Sequence, residues 1–439
     1  MNTFGLCGLG NVGSGVIRLL RENGSLAGER WGLHPWPKHI LVRDFDKPRP
    51  VDVPRELLTT DPRTIIDDPD IDVVVELIGG RDTAREIVLE SLRRGKSVVT
   101  ANKDLLAYHG PEILEIAAEH GAEVYFEASV AGGTPIIRPL KYSLAADRIT
   151  TIKGILNGTT NYILTRMTRD GRDYASSLAE AQANGYAESD PADDVEGRDA
   201  VRKLAILATV AFGTPVNPDQ IYMEGIAHIQ PRDIAYAREL GYVIKLVATA
   251  RDRGDTVEVR VHPTLLPEHH PLAKVDGSFN SVMVEGNFVG NVTFTGRGAG
   301  GGPTASAVVA DLLEALHNRR ANTRSPQWTC HRRLPVLPMA EVSVPYYLRF
   351  TAEDRPGVLG QMAQILGRHG VNLRSVIQKP AAAGHATRNG ECIKDGGQAE
   401  LVFLTSCSPD KNVRAALAEL GSRPELCRLE NLIRGEPTP

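Results

Sequence analysis

The stretch from Asn184 to Lys203, NGYAESDPADDVEGRDAVRK, carries the densest chemistry in the chain. Five acidic residues, Glu188, Asp190, Asp193, Asp194 and Glu196, crowd a loop interrupted by Pro191. A helix is expected to open near Gly197, which sets Asp199 and Lys203 four apart on one face. Behind that face Val201, Leu204, Ala205 and Ala208 recur at the spacing of a buried stripe. A carboxylate and an amine at the mouth of a packed helix, facing an acidic loop, can grip a small cationic substrate and move a proton. On an exposed helix the same residues form an ordinary surface ion pair, so the rest of the chain must decide. A second amine, Lys103, follows the strand-like run Ser97–Thr100. Open α/β sheets bind ligands at the carboxyl ends of their strands, which puts Lys103 within reach of a substrate or nicotinamide. The turn Ala131-Gly132-Gly133-Thr134-Pro135 is rich in free carbonyls, ligands that suit a hard cation such as Na⁺, although most such turns hold none.

The elements that must position these groups begin at the N-terminus. The apolar run Thr3 to Leu9 leads into Gly8-Leu9-Gly10-Asn11-Val12-Gly13, and a helical pattern with Val16, Ile17, Leu19 and Leu20 follows. This is G-x-G-x-x-G between a strand and a helix, the setting of the dinucleotide fingerprint. Gly8 permits the tight turn, Gly10 lets the backbone approach a pyrophosphate, and Gly13 lets helix and strand pack. Unpaired N–H groups at the helix start face the phosphates. After the next strand, expected at His39 to Val42, come Arg43 and Asp44. An acidic residue there takes a ribose 2′-hydroxyl and an Arg accommodates a 2′-phosphate, so NAD and NADP both stay open, with a lean to NADP. Further strands are expected at Asp72 to Leu77 and at Glu123 to Val130, with a helix from about Thr83.

From Ile149 the pattern changes to α+β. Ile152 to Leu156, Val247 to Ala250, Val257 to His262 and Ser281 to Phe288 read as strands, and Asn157 to Asn161 as a polar turn offering substrate contacts. GRGAGGGPTA from Gly296, then a helix over Ala305 to His317, either returns the chain to the first domain or serves as a connector. Asn318 to Val342 reads as a linker. Beyond it the order β-α-β-β-α-β fits a small ferredoxin-like domain, with a polar hairpin tip at Ala381 to Gly397.

At 439 residues the chain needs two or three cores. Net charge is −4, so bulk attraction to nucleic acid is excluded. No apolar run approaches the about 18 residues that span a bilayer, and the N-terminus lacks a secretory signal. The five cysteines, Cys7, Cys330, Cys392, Cys407 and Cys427, are scattered without C-x-x-C spacing and read as reduced thiols of a cytoplasmic protein.

Several segments together resemble homoserine dehydrogenase: GLGNVG at Gly8, ELIGG at Glu76, TANK at Thr100, EASVAGGTPII at Glu127, KGILNGTTNYIL at Lys153, GYAESDPADDVEGRDAVRKLAILA at Gly185 and GRGAGGGPTA at Gly296. DRPGVL and GVNL in the last segment resemble an ACT domain. The resemblance implies an α/β fold: a Rossmann-type domain over residues 1–135, completed by the helix at about 300–320; a catalytic and dimerisation domain over 136–317; a linker over 318–344; and an ACT domain over 345–425. It implies NAD(P)-dependent interconversion of L-homoserine and L-aspartate 4-semialdehyde, on the route to threonine, isoleucine and methionine. Lys203 matches the catalytic lysine and Lys103 the lysine near the nicotinamide. Glu188 and Asp199 match substrate-holding carboxylates, and Asp194 a supporting one. Gly8, Gly10, Asn11, Val12, Gly13, Arg43, Lys103, Gly185 and Gly300 fall on the cofactor side. Glu127, Val130, Gly132 and Thr134 match a Na⁺ site, mostly through backbone carbonyls. Asp354, Arg355, Gly357 and Asn372 fall at the regulatory site, with threonine the expected effector and truncation after about residue 340 expected to abolish its effect. A homodimer or homotetramer is implied. Lys103 and Lys203 near each other are expected to lower a lysine's pKa, with Asp199 opposing. Two other readings compete. Aspartate-semialdehyde dehydrogenase needs a nucleophilic Cys at a helix start, which the chain lacks. A non-catalytic nucleotide- and amino-acid-binding regulatory protein has no need of both Lys103 and Lys203.

Overall fold

In the computed structural model, which describes residues 2–326, 330–380 and 397–437, the N-terminal apolar runs form a parallel sheet. Its strands are β1 (Asn2–Cys7), β2 (Pro35–Leu41), β3 (Leu58–Thr59), β4 (Val73–Glu76), β5 (Ser97–Thr100) and β6 (Val124–Tyr125), in the order β3-β2-β1-β4-β5-β6. This is the doubly wound order, whose switch between β1 and β4 opens a crevice at the carboxyl ends. β2 starts earlier than its apolar run suggests. β3 pairs only with Ile40 and Leu41, so Pro35 and Pro37 keep one edge free, where a missing N–H costs nothing. The helices Asn11–Trp31 and Gly301–Ala321 share one face, with Val16, Ile17, Ala305, Val308 and Leu312 in one core with Phe4, Leu6 and Val75. Gly15 makes this approach possible, since a Cβ there would lie 2.7 Å from the Gly301 carbonyl oxygen.

The strand expected through Val130 stops at Tyr125 and gives way to a 3₁₀ turn, Glu127–Ser129. The Glu127 carboxylate is the reason. It accepts backbone N–H groups of Ile136 (2.6 Å), Ile137 (3.0 Å) and Arg138 (2.6 Å), and the chain bends back to deliver them.

The second sheet contains β7 (Ile149–Ile155), β8 (Tyr222–Met223), β9 (Tyr242–Asp252), β10 (Val257–Pro267), β11 (Phe279–Gly286) and β12 (Gly290–Arg297). Ile152, Ala248 and Val261 pack with Leu204 and Leu207 of the helix Arg198–Phe212. β11 ends at Gly286 rather than Phe288, which is 89% exposed beside the hairpin turn. β12 escapes a sequence reading because it is a Gly- and Thr-containing edge strand without a continuous apolar face.

The last domain comprises β13 (Ser343–Val344), β14 (Tyr346–Glu353), β15 (Leu373–Pro380), β16 (Gln398–Thr405), β17 (Ser408–Pro409) and β18 (Cys427–Gly435), with helices Val358–Arg368 and Asp410–Gly421. Its main strands run β18-β14-β16-β15, all antiparallel, the ferredoxin-like arrangement. The expected hairpin tip and Cys392 lie among residues 381–396, outside the described residues. The sheets of the second and third domains are continuous: β18 pairs in parallel with β10 through Thr264↔Arg434 and Leu265↔Gly435. β8 lies along the same edge, at Arg260 and Val261. Val336 bridges to Val257 there as well, so part of the expected linker is fixed to the sheet.

Candidate active site

Three helix starts meet at the crevice. At the end of β5, Asn102 caps the helix Lys103–Glu119: its Oδ1 accepts the Leu105 N–H (3.0 Å) while its Nδ2 donates to the Gly80 carbonyl (2.7 Å). Lys103 is therefore the first helical residue and projects from a rigid corner. At the end of β7, Asn157 caps the helix Gly158–Asp170 by accepting the Thr160 N–H (2.8 Å). The polar turn expected at Asn157 to Asn161 is thus a helix start. Its Nδ2 donates to Asp194 Oδ1 (2.6 Å) and Asp199 Oδ2 (2.9 Å). The third helix, Arg198–Phe212, opens at Gly197 with φ +91° and carries Asp199 and Lys203 inward, both buried.

The two amines converge on one carboxylate. Lys203 Nζ donates to Asp199 Oδ2 (2.8 Å) and to the Leu156 carbonyl (2.8 Å), and Lys103 Nζ stands 3.2 Å from Asp199 Oδ1. Burial alone would raise the Asp199 pKa, but Lys203 and Lys103 outweigh it and hold the carboxyl far below the usual carboxylate range. Burial likewise works to lower the Lys103 pKa, but Asp199 overcomes it and the net shift is upward. The expectation that the amines depress each other therefore fails for Lys103: the anion stands between them. Asp194 shifts upward, through burial, against hydrogen bonds from Thr159 (2.8 Å) and Asn157.

A cavity of about 680 Å³ joins this cluster to the first domain, with Val12, Ala101, Gly300 and Thr304 on one side and Asn157, Asp194, Asp199 and Lys203 on the other. Glu188 and Gly185 lie on its exposed rim. The Gly-rich turn fits a dinucleotide. A Cβ on Gly10 would meet no protein atom within 4 Å, so the backbone there is open to a pyrophosphate, whereas one on Gly13 would lie 2.2 Å from the Gly8 carbonyl oxygen. Gly8 itself has φ +105°. Arg43 stands exposed beyond β2, outside the cavity wall, and its guanidinium pairs with no described residue. Asp44 instead accepts the Asp46 N–H (2.8 Å), and Arg49 is spent on the carbonyls of Phe45 (3.1 Å) and Lys47 (2.9 Å).

At the turn after Glu127, Gly132 lines the cavity and the Thr134 hydroxyl is buried without a partner. The Glu127 side chain is consumed by the three amides. Among the described residues no group of three or more His, Cys, Asp or Glu can hold a metal ion. In the last domain Asp354, Arg355 and Gly357 precede the helix Val358–Arg368, and Asp354 Oδ1 accepts from Gln378 (3.2 Å). Asn372 does not join them. It donates to Ser406 Oγ (3.1 Å) at the Leu373↔Thr405 end of the sheet, whereas Asp354 adjoins the Glu353↔Gln398 end.

Two wall residues were given no role by the motif reading. Asn280 is buried in β11; its Nδ2 donates to the Leu156 carbonyl (2.8 Å), the same oxygen that holds Lys203, and its Oδ1 is unpartnered. Arg297, ending β12, is a third cation of the wall. An Asn within an apolar strand is the only signal for the first; the signal for Arg297 is its place in GRGAGGGPTA, where the glycines drew the attention.

A dinucleotide fold whose crevice ends on two amines sharing a buried carboxylate defines a nicotinamide-dependent oxidoreductase acting on a small polar alcohol. Comparison with known proteins narrows the class. A homoserine dehydrogenase family model matches residues 135–313, its NAD-binding domain residues 8–127, and an ACT domain residues 346–422. Homoserine dehydrogenase of Pseudomonas aeruginosa is 46% identical over 426 residues, covering 95% of this chain and 94% of its own. A solved homoserine dehydrogenase from Thiobacillus denitrificans has a TM-score of 0.89 at 41% identity, covering 99% of this chain and 98% of its own. A hyperthermophilic archaeal homoserine dehydrogenase solved with NADPH has a TM-score of 0.61 at 26% identity, covering 74% of this chain and 99% of its own. The chain belongs to the homoserine dehydrogenase family, and it interconverts L-homoserine and L-aspartate 4-semialdehyde with NAD or NADP.

Proposed function

We propose that Lys203 is the proton-moving group of this reaction and that Lys103 orients the reacting oxygen. The observation that carries the reading is the sharing of Asp199 by the two amines at 2.8 and 3.2 Å. An ammonium has three N–H groups. Two of Lys203's are spent on Asp199 and Leu156, which leaves one for a substrate oxygen in the cavity. The bound nicotinamide cofactor takes hydride from the alcohol carbon in oxidation and returns it to the aldehyde in reduction. In reduction the Lys203 ammonium donates a proton to the oxygen; in oxidation the neutral amine removes it. Glu188 at the rim and Asp199 in the wall hold the substrate ammonium, with Asp194 in support. Arg297 offers a counter-charge to the substrate carboxylate. Absorbance of the reduced cofactor, followed with homoserine and each of NAD⁺ and NADP⁺, tests the reading; no turnover with either would overturn it.

NADP is the preferred cofactor on this reading, because Arg43 follows β2, where a ribose 2′-phosphate falls in this fold, and its side chain is exposed. A Na⁺ ion fits the carbonyls of Glu127, Val130 and Gly132 together with the unpartnered Thr134 hydroxyl. Replacing Na⁺ by choline should slow turnover, and an unchanged rate leaves the turn without a ligand. The ACT domain takes an amino-acid effector, which we assign as threonine at Asp354, Arg355 and Gly357, with Asn372 contributing only from a second domain across a pair. Such a pair makes the protein a homodimer or a homotetramer, and a single-subunit mass in solution would refute it. The free thiols Cys7, Cys330, Cys407 and Cys427 suit the cytoplasm, and no helix among the described residues is long and apolar enough to cross a membrane. A secreted product carrying disulfides would contradict that placement.

A further inference from the structure

Arg434 lies on β18, in the last domain, with a side chain fully buried. Its guanidinium donates to Glu224 Oε1 (2.8 Å), to the Tyr222 hydroxyl (3.0 Å) and to Asp410 Oδ1 (2.7 Å), and it covers the Tyr222 ring at 4.8 Å. Asp410 opens a helix of the same domain and also accepts from Tyr346 (2.9 Å). Tyr222 and Glu224 belong to the catalytic domain. One buried cation thus ties a carboxylate from each domain together, and removing it would leave both to the more exposed Arg414, 3.6 Å from Glu224 and 3.4 Å from Asp410.

The segment so held leads directly to the active site. β8 lies end to end with β18 along the edge of β10, and the Glu224 N–H donates to the Val261 carbonyl (2.9 Å). The Ile226 N–H then donates to the Val195 carbonyl (2.9 Å). Gly225 lies flat on the same turn: a Cβ there would stand 2.5 Å from Val195 O and 2.8 Å from the Glu196 Cα. On Gly197 a Cβ would meet Met223 at 3.3 Å and Val261 at 3.4 Å. Residues Val195 to Gly197 are the three that separate Asp194 from the helix carrying Asp199 and Lys203.

We propose that Arg434 is a positioning residue for the dehydrogenase reaction. From the last strand of the C-terminal domain it fixes Tyr222 to Ile226, and that segment fixes the Val195–Gly197 turn that sets Asp194 against Asp199. The C-terminal domain is by this route part of the frame of the substrate site. The inference rests on the reading that Asp194 and Asp199 hold the substrate.

The full-length enzyme carrying Arg434→Met tests it. The homoserine KM should rise roughly tenfold, because displacements of about 1 Å in a positioned site are costly, while the cofactor KM stays within about twofold. Arg434→Lys, which keeps the charge without the fork, should recover part of the loss. A residue that only holds domains together would reduce the folded fraction, lowering apparent kcat with both KM values unchanged, and that result overturns the proposal. If Arg434→Met fails to fold, Glu224→Gln keeps an acceptor for Arg434 but removes its charge. The same selective rise in homoserine KM is then expected, and its absence is equally fatal. Asp199→Asn serves as control: full activity there defeats the substrate-holding reading itself, whereas an inactive Asp199→Asn beside a normal Arg434→Met defeats the Arg434 assignment alone.

Discussion

Replacing Lys203 by Met and, separately, by Arg divides the two things its amine does. As a charge it balances Asp199 at 2.8 Å; as an acid it has one N–H left after Asp199 and Leu156 are satisfied. Arg keeps the charge but does not release its proton, having a pKa above about 12. Positioned acid–base groups contribute about 10²- to 10⁴-fold, and each factor of ten is about 1.4 kcal/mol of barrier, so about 3–5 kcal/mol is at stake. Met also leaves a buried anion short of one partner. Asp199 keeps Lys103 at 3.2 Å and Asn157 at 2.9 Å, so the stability loss should fall below the about 3–5 kcal/mol seen when a buried charge is stranded. Both variants should lose at least about 100-fold in kcat in both directions, followed by cofactor absorbance. Cofactor affinity, read by fluorescence titration, should hardly change, since Lys203 does not touch the Gly8–Gly13 turn. An Arg variant within about tenfold of the parent would show that charge rather than proton transfer is what position 203 supplies, and the mechanism would fall.

Asp199 has a depressed folded-state pKa, so its ion pairs stabilise the fold above the ordinary carboxylate range and lose that contribution as pH falls from about 4 through the depressed value. Melting temperature against pH should therefore decline less steeply on the acid side for Asp199→Asn than for the parent; parallel curves would refute the coupling. Removing the same anion should also lower the raised Lys103 pKa, shifting the alkaline limb of homoserine oxidation to lower pH, and a limb that stays put or moves up would contradict the charge assignment. Arg43→Ala should raise the KM for NADP⁺ about tenfold or more while sparing NAD⁺, as expected for one lost charge-assisted contact to a 2′-phosphate; equal effects on both cofactors would remove Arg43 from the ribose site. Asp354→Ala should abolish threonine inhibition at an unchanged uninhibited rate, and persistent inhibition would move the effector elsewhere. This substitution is a cleaner probe than truncation after residue 340, which would strip β18 from β10 and leave Glu224 without Arg434.

What could be read from the chain follows the range of the interactions involved. The turn at Gly8 to Gly13 and the pairing of Asp199 with Lys203 are local, set by spacings of a few residues, and the structure places both where the spacing puts them. Helix starts with a side-chain cap were half visible. Asn157 appeared as a polar turn because its cap bond to Thr160 and its bonds to Asp194 and Asp199 differ only in what lies across the crevice. β6 was overextended because alternation carries no trace of a carboxylate recruiting three amides nine to eleven residues ahead. The junction of β18 with β10 was invisible for a related reason. Parallel pairing over two residues leaves no periodicity of its own, and Arg434 reads as one more charge near the C-terminus until Glu224 and Asp410 are brought beside it.

Lys103 and Asp199 also belong to opposite walls of the crevice, one on the nucleotide-binding side and one on the catalytic side. Their 3.2 Å contact therefore reports the separation of the two domains as well as the charge of the site. The chain crosses between these domains near residues 126–135 and 296–301, and the crossings touch through glycines. A Cβ on Gly132 would lie 2.6 Å from the Gly298 carbonyl oxygen, and one on Gly296 would lie 2.7 Å from the Thr134 hydroxyl. Side chains at these points would wedge the crossings apart and draw Lys103 away from Asp199. Separated from Lys103, Asp199 keeps Lys203 at 2.8 Å and Asn157 at 2.9 Å, so the carboxylate stays paired within its own wall while the site loses one of the two charges set against it. The shared carboxylate thus couples the spacing of the two walls to the charge the cluster presents.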